Sequence, residues 1–120
     1  MKLCWFHLMP YTDLPSDFAA KHPGVWVDVD SRLFDPGRAH GMYNEFLDEL
    51  EQADALGFDG ICVNEHHANG YGLMPSPNLM AAALARRTRD AALVVMGNSL
   101  ALYNPPLRVA EEMAMLDCIS

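Results

Sequence analysis

The chain has 120 residues and a mass of 13.3 kDa, enough for one domain with a workable core. At 51% hydrophobic and 20% charged residues, with 8 Gly and 8 Pro, its composition excludes disorder and collagen-like repeats. Eight Lys and Arg against 16 Asp and Glu leave a formal net charge of -8. That sign repels phosphate backbones and anionic lipid, and argues against nucleic acid or a membrane surface as a partner.

Segment 3–9 is apolar and aromatic, closed by Pro10, and reads as a buried strand. The stretch 11–37 carries Pro15, Pro23, Gly24 and Pro36, and is longer than an ordinary loop. Val25, Trp26 and Val27 are too apolar for disorder, so an ordered lid with a short extended piece is expected there.

Between 38 and 56 the period becomes helical. Tyr43, Phe46, Leu47, Leu50 and Ala53 share one face, Glu45, Asp48, Glu49 and Glu51 the other, and Gly57 is placed to end the helix in the left-handed conformation. Segment 58–64 is the next strand and runs into Glu65-His66-His67, followed by a loop containing Gly70, Tyr71 and Gly72. Ser76-Pro77 supplies an N-cap and a first-turn proline for an alanine-rich helix over 78–88. Segment 91–96 is wholly apolar and is expected to be a strand buried on both faces. Asn98-Ser99 follows its end. Pro105-Pro106 then opens a last helix with a stripe of Val109, Met113 and Leu116.

Alternating strands and helices with apolar strands mean parallel pairing. No GxGxxG or GxxxxGK[ST] follows any strand, so a nucleotide-binding open sheet lacks support. The unusual polar residues sit just past strand ends, where a (β/α)8 barrel gathers its chemistry. A barrel typically takes about 250 residues. The expectation is therefore an α/β fold forming the amino-terminal portion, about three βα units, of a (β/α)8 TIM barrel, with 1–120 as one incomplete domain.

Three separated cysteines, Cys4, Cys62 and Cys118, form no CxxC pair and suggest neither a disulfide framework nor a metal site. The first residues lack the apolar core of a secretion signal, and no apolar run approaches the roughly 20 residues that span a bilayer. A cytoplasmic location is expected.

The segment from Leu56-Gly57-Phe58-Asp59-Gly60 through Glu65-His66-His67, together with Asn104-Pro105-Pro106-Leu107-Arg108-Val109-Ala110-Glu111-Glu112, resembles the bacterial-luciferase-like monooxygenases. The resemblance implies a (β/α)8 barrel that binds reduced FMN at its carboxyl face and inserts one oxygen atom from O2 into a small organic substrate. A flavin reductase and a homodimer joined through the second and third helices are implied with it. A deazaflavin-dependent hydride-transfer enzyme of the same superfamily is the alternative, and a non-catalytic, self-associating fragment with two open sheet edges is a third reading. Much of the family's phosphate-binding region is expected to lie beyond Ser120, leaving this chain inactive alone.

His66 matches the family's active-site histidine, and an imidazole suits acid–base work near neutral pH. Glu65 is the second catalytic candidate, able to fix the tautomer of a neighbouring imidazole. His67 is expected in support, and Asn98 and Ser99 beside the flavin, where the family commonly has a non-prolyl cis peptide. Cys62, Glu65 and His66 make a poor metal site, because neighbouring strand residues face opposite ways.

Overall fold

The computed structural model describes residues 1–26, 29–69 and 71–120. Three strands, β1 (Cys4–Phe6), β2 (Gly60–Asn64) and β3 (Ala92–Met96), form one parallel sheet in the order β1-β2-β3. Cys4 pairs with Gly60, and β2 runs beside β3 from Gly60↔Ala92 to Asn64↔Met96. Because the strands are parallel, all their carboxyl ends reach one edge of the sheet. The residues that follow them meet there.

Helices make the crossovers, here named α1 (Phe18–Lys21), α2 (Pro36–Ala55), α3 (Pro77–Ala85) and α4 (Leu107–Ile119). Helix α2 begins two residues earlier than its periodicity predicts, since Asp35 caps it by accepting from the amides of Gly37 (2.7 Å) and Arg38 (3.0 Å), with Pro36 in the first turn. It ends as expected, with Gly57 at φ 85°. Its predicted stripe is the one that packs. Phe46, Leu50 and Ala53 are buried against Ile61 and Val63 of β2, with Met74 and Leu84 closing the same cluster. Helix α3 stops at Ala85, three residues short of the expected end, and α4 starts only after Pro105-Pro106.

Two strands depart from expectation. The first covers Cys4–Phe6 rather than 3–9, and all three residues are exposed, Trp5 resting edge-on against Phe58 at 5.3 Å. The third strand, expected to be buried on both faces, exposes Ala92 and Met96 and half-buries the three residues between. The reason is neighbour number. Among the described residues only β2 has a strand on each side, and only β2 is buried along its whole length.

Within segment 11–37 the described residues form α1 and a 3-10 turn at Ser31–Leu33. Val27, expected in the extended piece, lies outside the described residues, as does Gly70 of the loop after β2. Tyr11, 1% exposed, anchors the segment, its hydroxyl accepting from the Asp35 amide (3.0 Å) and donating to the Leu33 carbonyl (3.3 Å). Among the described residues no helix is long and apolar enough to cross a membrane.

The turn into β3 is held by one carboxylate. Asp54, in the last turn of α2, accepts from the amides of Arg89 (2.8 Å), Asp90 (3.0 Å) and Ala91 (2.6 Å). Burial pushes its carboxyl up, but the three amides and the Arg89 charge outweigh this and hold it below the usual range. A carboxylate depressed by folding stabilises the fold above its unfolded pKa of about 3.9, and that contribution is lost as the pH falls through the lower folded value. Asp54→Ala is expected to lower unfolding stability by about 2 kcal/mol at neutral pH. Urea titrations at several pH values check this: the gap between wild type and variant narrows on acidification below pH about 4.

Candidate functional site

At the carboxyl edge of the sheet the chain leaves β2 through Glu65 and β3 through Gly97, and the two exits are bonded to each other. The Glu65 side chain is 6% exposed. It accepts from the amides of Asn98 and Ser99 (the latter at 3.3 Å), from the Tyr103 hydroxyl at 3.3 Å, and bonds the His67 ring through Nε2 at 2.6 Å. Burial pushes its carboxyl up, but the His67 ring and the two amides prevail and hold it below the usual range. Tyr103 moves the other way, its phenol raised by burial and by the Glu65 charge.

This approach demands a residue without a side chain at position 97. A Cβ there would lie 2.6 Å from Glu65 Cβ, 2.8 Å from its Oε2 and 3.2 Å from Pro77 Cγ. The next residue, Asn98, takes φ 63°, a conformation asparagine tolerates better than most residues, and so turns its amide toward the carboxylate. The only cis peptide bond among the described residues is Asn104–Pro105, so the Asn98–Ser99 link is trans, unlike the family pattern expected there.

His66 sits beside this junction. Its ring stacks on Trp26 (centroids 5.1 Å apart, planes at 29°), and Trp26 in turn meets Tyr71 edge-on at 5.4 Å. Nδ1 of His66 lies 2.5 Å from Oδ1 of Asn64, the last residue of β2, which is 3% exposed. The long segment after β1 thus delivers an aromatic plane onto the histidine.

A second polar chain runs from α4. Glu112 accepts from Asn78 Nδ2 at 2.6 Å, and Asn78 Oδ1 accepts from Asn98 Nδ2 at 3.0 Å. Glu112, also bonded by Arg108 at 2.9 Å, is held below the usual carboxylate range by Asn78 and then Arg108. A carboxylate only accepts, so the order of both amides is settled from that end. Asn98 Oδ1 is left over. It is buried and has no partner among the described residues.

All five residues singled out in the sequence therefore meet at one edge: Glu65, His66 and His67 after β2, Asn98 and Ser99 after β3. Glu65 pairs with His67 rather than with His66. The ring of His7 is bonded to Glu49 at 2.8 Å and to the Met9 amide at 2.9 Å. Sequence reasoning passed over Trp26, Asn64, Asn78, Tyr103 and Glu112. Asn64 had a signal, being a polar residue at the end of an otherwise apolar buried strand. Trp26 had none, because its partner is 40 residues away in sequence.

A family model for luciferase-like monooxygenases matches residues 24–120. The chain is 34% identical over 89 residues to the oxygenase component of the flavin-dependent trigonelline monooxygenase of Acinetobacter baylyi, covering 74% of this chain and 24% of that protein. It is 36% identical over 82 residues to the limonene 1,2-monooxygenase of Rhodococcus erythropolis, covering 68% and 21%. Among solved structures, a monooxygenase from Streptomyces bottropensis matches with a TM-score of 0.67 and 32% identity, over 100% of this chain and 30% of that one. The oxygenating constituent of 3,6-diketocamphane monooxygenase from Pseudomonas putida, solved in complex with FMN, matches at 0.63 and 28%, over 72% and 24%. The chain spans about a quarter of the length of the curated relatives it matches. Its fold is that portion of their barrel, about three βα units.

The packing around Gly97 yields a direct test. Gly97→Ala is expected to cost roughly 1–3 kcal/mol of stability, because Glu65 and Pro77 must move to admit the methyl group. The shift in denaturation midpoint measures it, and an unchanged midpoint would contradict the close approach.

Proposed function

This chain belongs to the luciferase-like monooxygenase family, and from that premise we propose that it forms the His66-bearing part of a flavin-dependent monooxygenase active site. The reaction places one atom of O2 in a small organic substrate and releases the other as water. Reduced FMN, when bound, supplies the two electrons. The FMN-bound Pseudomonas relative and the flavin-dependent Acinetobacter relative support this choice of cofactor. The latter is named as an oxygenase component, which supports a separate reductase as the source of reduced flavin.

One observation carries the reading: His66, just past the end of β2, is stacked on Trp26, and the loop carrying Asn98, whose buried Oδ1 has no partner among the described residues, is bonded to the adjacent Glu65. A buried acceptor without a donor costs about 1–3 kcal/mol unless a ligand satisfies it. An isoalloxazine ring suits the site chemically, offering N–H donors at its edge and a flat apolar face. Asn98 would hold the edge and Ser99 would add a hydroxyl. Trp26 covers one face of the His66 ring.

His66 is the residue that moves a proton to or from the substrate. Glu65 acts on position instead: with its oxygens engaged by Asn98, Ser99, Tyr103 and His67, it holds the post-β3 loop in place, and His67 supports it. Pairing of two copies through α3 and α4 is proposed as well. Leu79 and Met115 stand exposed beside a cleft of about 400 Å³ between these helices.

The first experiment is a titration of the chain with oxidised FMN, followed by flavin fluorescence, and with reduced FMN by calorimetry under nitrogen. Saturable binding in at least one redox state is expected. Asn98→Ala should weaken it about fivefold, the equivalent of one ordinary hydrogen bond. In turnover by a full-length protein containing this segment, His66→Ala should lower product yield roughly 10²–10⁴-fold. Absence of binding in both states would overturn the assignment of Asn98 and Ser99 as flavin-holding residues of this chain. Full activity without O2 would replace the monooxygenase reading with hydride transfer.

A further inference from the structure

We infer that Asn64 is a positioning residue that holds His66 in its Nδ1–H tautomer, leaving Nε2 as the proton acceptor of the site. The inference deepens the role proposed for His66 and rests on that role for its functional meaning, but the tautomer itself follows from geometry alone. The backbone carbonyl of His7 has lone pairs and no proton to give. It lies 2.7 Å from the side-chain amide of Asn64, so the NH2 group must face it. That orients the whole amide and leaves Oδ1 as the atom 2.5 Å from Nδ1 of His66. An amide oxygen only accepts. Nδ1 must therefore carry the proton, and in the neutral ring the lone pair falls on Nε2, which has no hydrogen-bond partner among the described residues.

This is not the tautomer an imidazole prefers when free in water, where Nε2–H dominates. The bias thus comes from Asn64, buried at 3% exposure between the two histidine segments. A second histidine nearby shows the opposite arrangement. Nδ1 of His7 accepts from the Met9 amide at 2.9 Å, so its Nε2 carries the proton and donates to Glu49 Oε2 at 2.8 Å. The two rings are held in opposite tautomers, and Asn64 meets His66 at its ring but His7 only at its backbone carbonyl. The chemical consequence is directional. Neutral His66 presents a base, not a donor, at the nitrogen left open, so its first act toward a bound molecule is to take a proton. That proton is returned from Nε2 when the ring is cationic.

The test needs neither flavin nor substrate, so its outcome is independent of the proposed activity. Two-bond 1H–15N correlation spectra of the 15N-labelled chain at pH about 8.5, where histidines are mostly neutral, read each ring directly. The expected result is a pyrrole-type Nδ1 and pyridine-type Nε2 for His66, and the reverse for His7. In Asn64→Leu, which removes the acceptor at similar size, His66 should change to mainly Nε2–H while His7 keeps its pattern and reports that the fold persists. A wild-type His66 that is mainly Nε2–H overturns the inference. So does an unchanged His66 in Asn64→Leu with His7 intact. Should that variant fail to fold, the opposed tautomers of the wild-type rings decide the matter alone. Loss of FMN binding with the predicted tautomers present would count against the flavin contacts proposed for Asn98 and Ser99 and leave the role of Asn64 standing.

Discussion

The carboxylate of Glu65 is the constraint around which this edge of the molecule is arranged. A nearly buried charge forfeits several kcal/mol of hydration and is stable only when its lone pairs are filled. Here the donors come from outside its own strand: two amides and a phenol from the loop after β3, and the ring of His67. Charge-assisted bonds of this kind are the strong ones. They bind the exit of β2 to the exit of β3, and the local oddities of the loop follow from that. Gly97 is a glycine because the carboxylate occupies the place of a side chain, and Asn98 is left-handed because its amide must turn to face Glu65.

Once the Asn98 backbone is committed to Glu65, its side chain faces the interior, where Asn78 and then Glu112 continue the line into α4. The helix after β3 is therefore tied to the strand edge by a buried polar chain as well as by packing of Val109. Both asparagines that border the site, Asn64 and Asn98, are oriented from an end that can play only one hydrogen-bonding role: a backbone carbonyl for the first, a carboxylate for the second. Each passes that orientation on, Asn64 to the ring of His66 and Asn98 to an oxygen left without a donor among the described residues. Polar groups this deep are orderly because a reversed amide would place two acceptors in contact.

The fold was largely legible in the sequence. The stripe Phe46, Leu50 and Ala53, the stop at Gly57 and the apolar run of β2 are local patterns, and the structure contains each. The limits of the reading are equally physical. Apolar strands at 3–9 and 91–96 read alike as buried, yet burial depends on how many neighbours a strand has, which a single segment does not encode. At the site, Glu65, His66, His67, Asn98 and Ser99 stood out as polar residues just past strand ends, and the parallel sheet brings them to one edge. Their partners did not stand out. Trp26 read only as part of an apolar lid segment, and Tyr103 carries no local pattern that singles it out.

The order of strands and helices, the helix stripes, the acidic surface and the motif around His66 belong to the sequence by itself, because each rests on residues within a few positions of one another. Tertiary structure alone decided that Glu65 bonds the loop after β3 and His67 instead of His66. It alone set Trp26 on the histidine and left the oxygen of Asn98 without a partner among the described residues. Apart from the Glu65–His67 pair, those outcomes depend on contacts made across about 20 to 40 residues of chain. At that distance a hydrogen-bonding direction is fixed by geometry in space and leaves no periodic trace along the sequence.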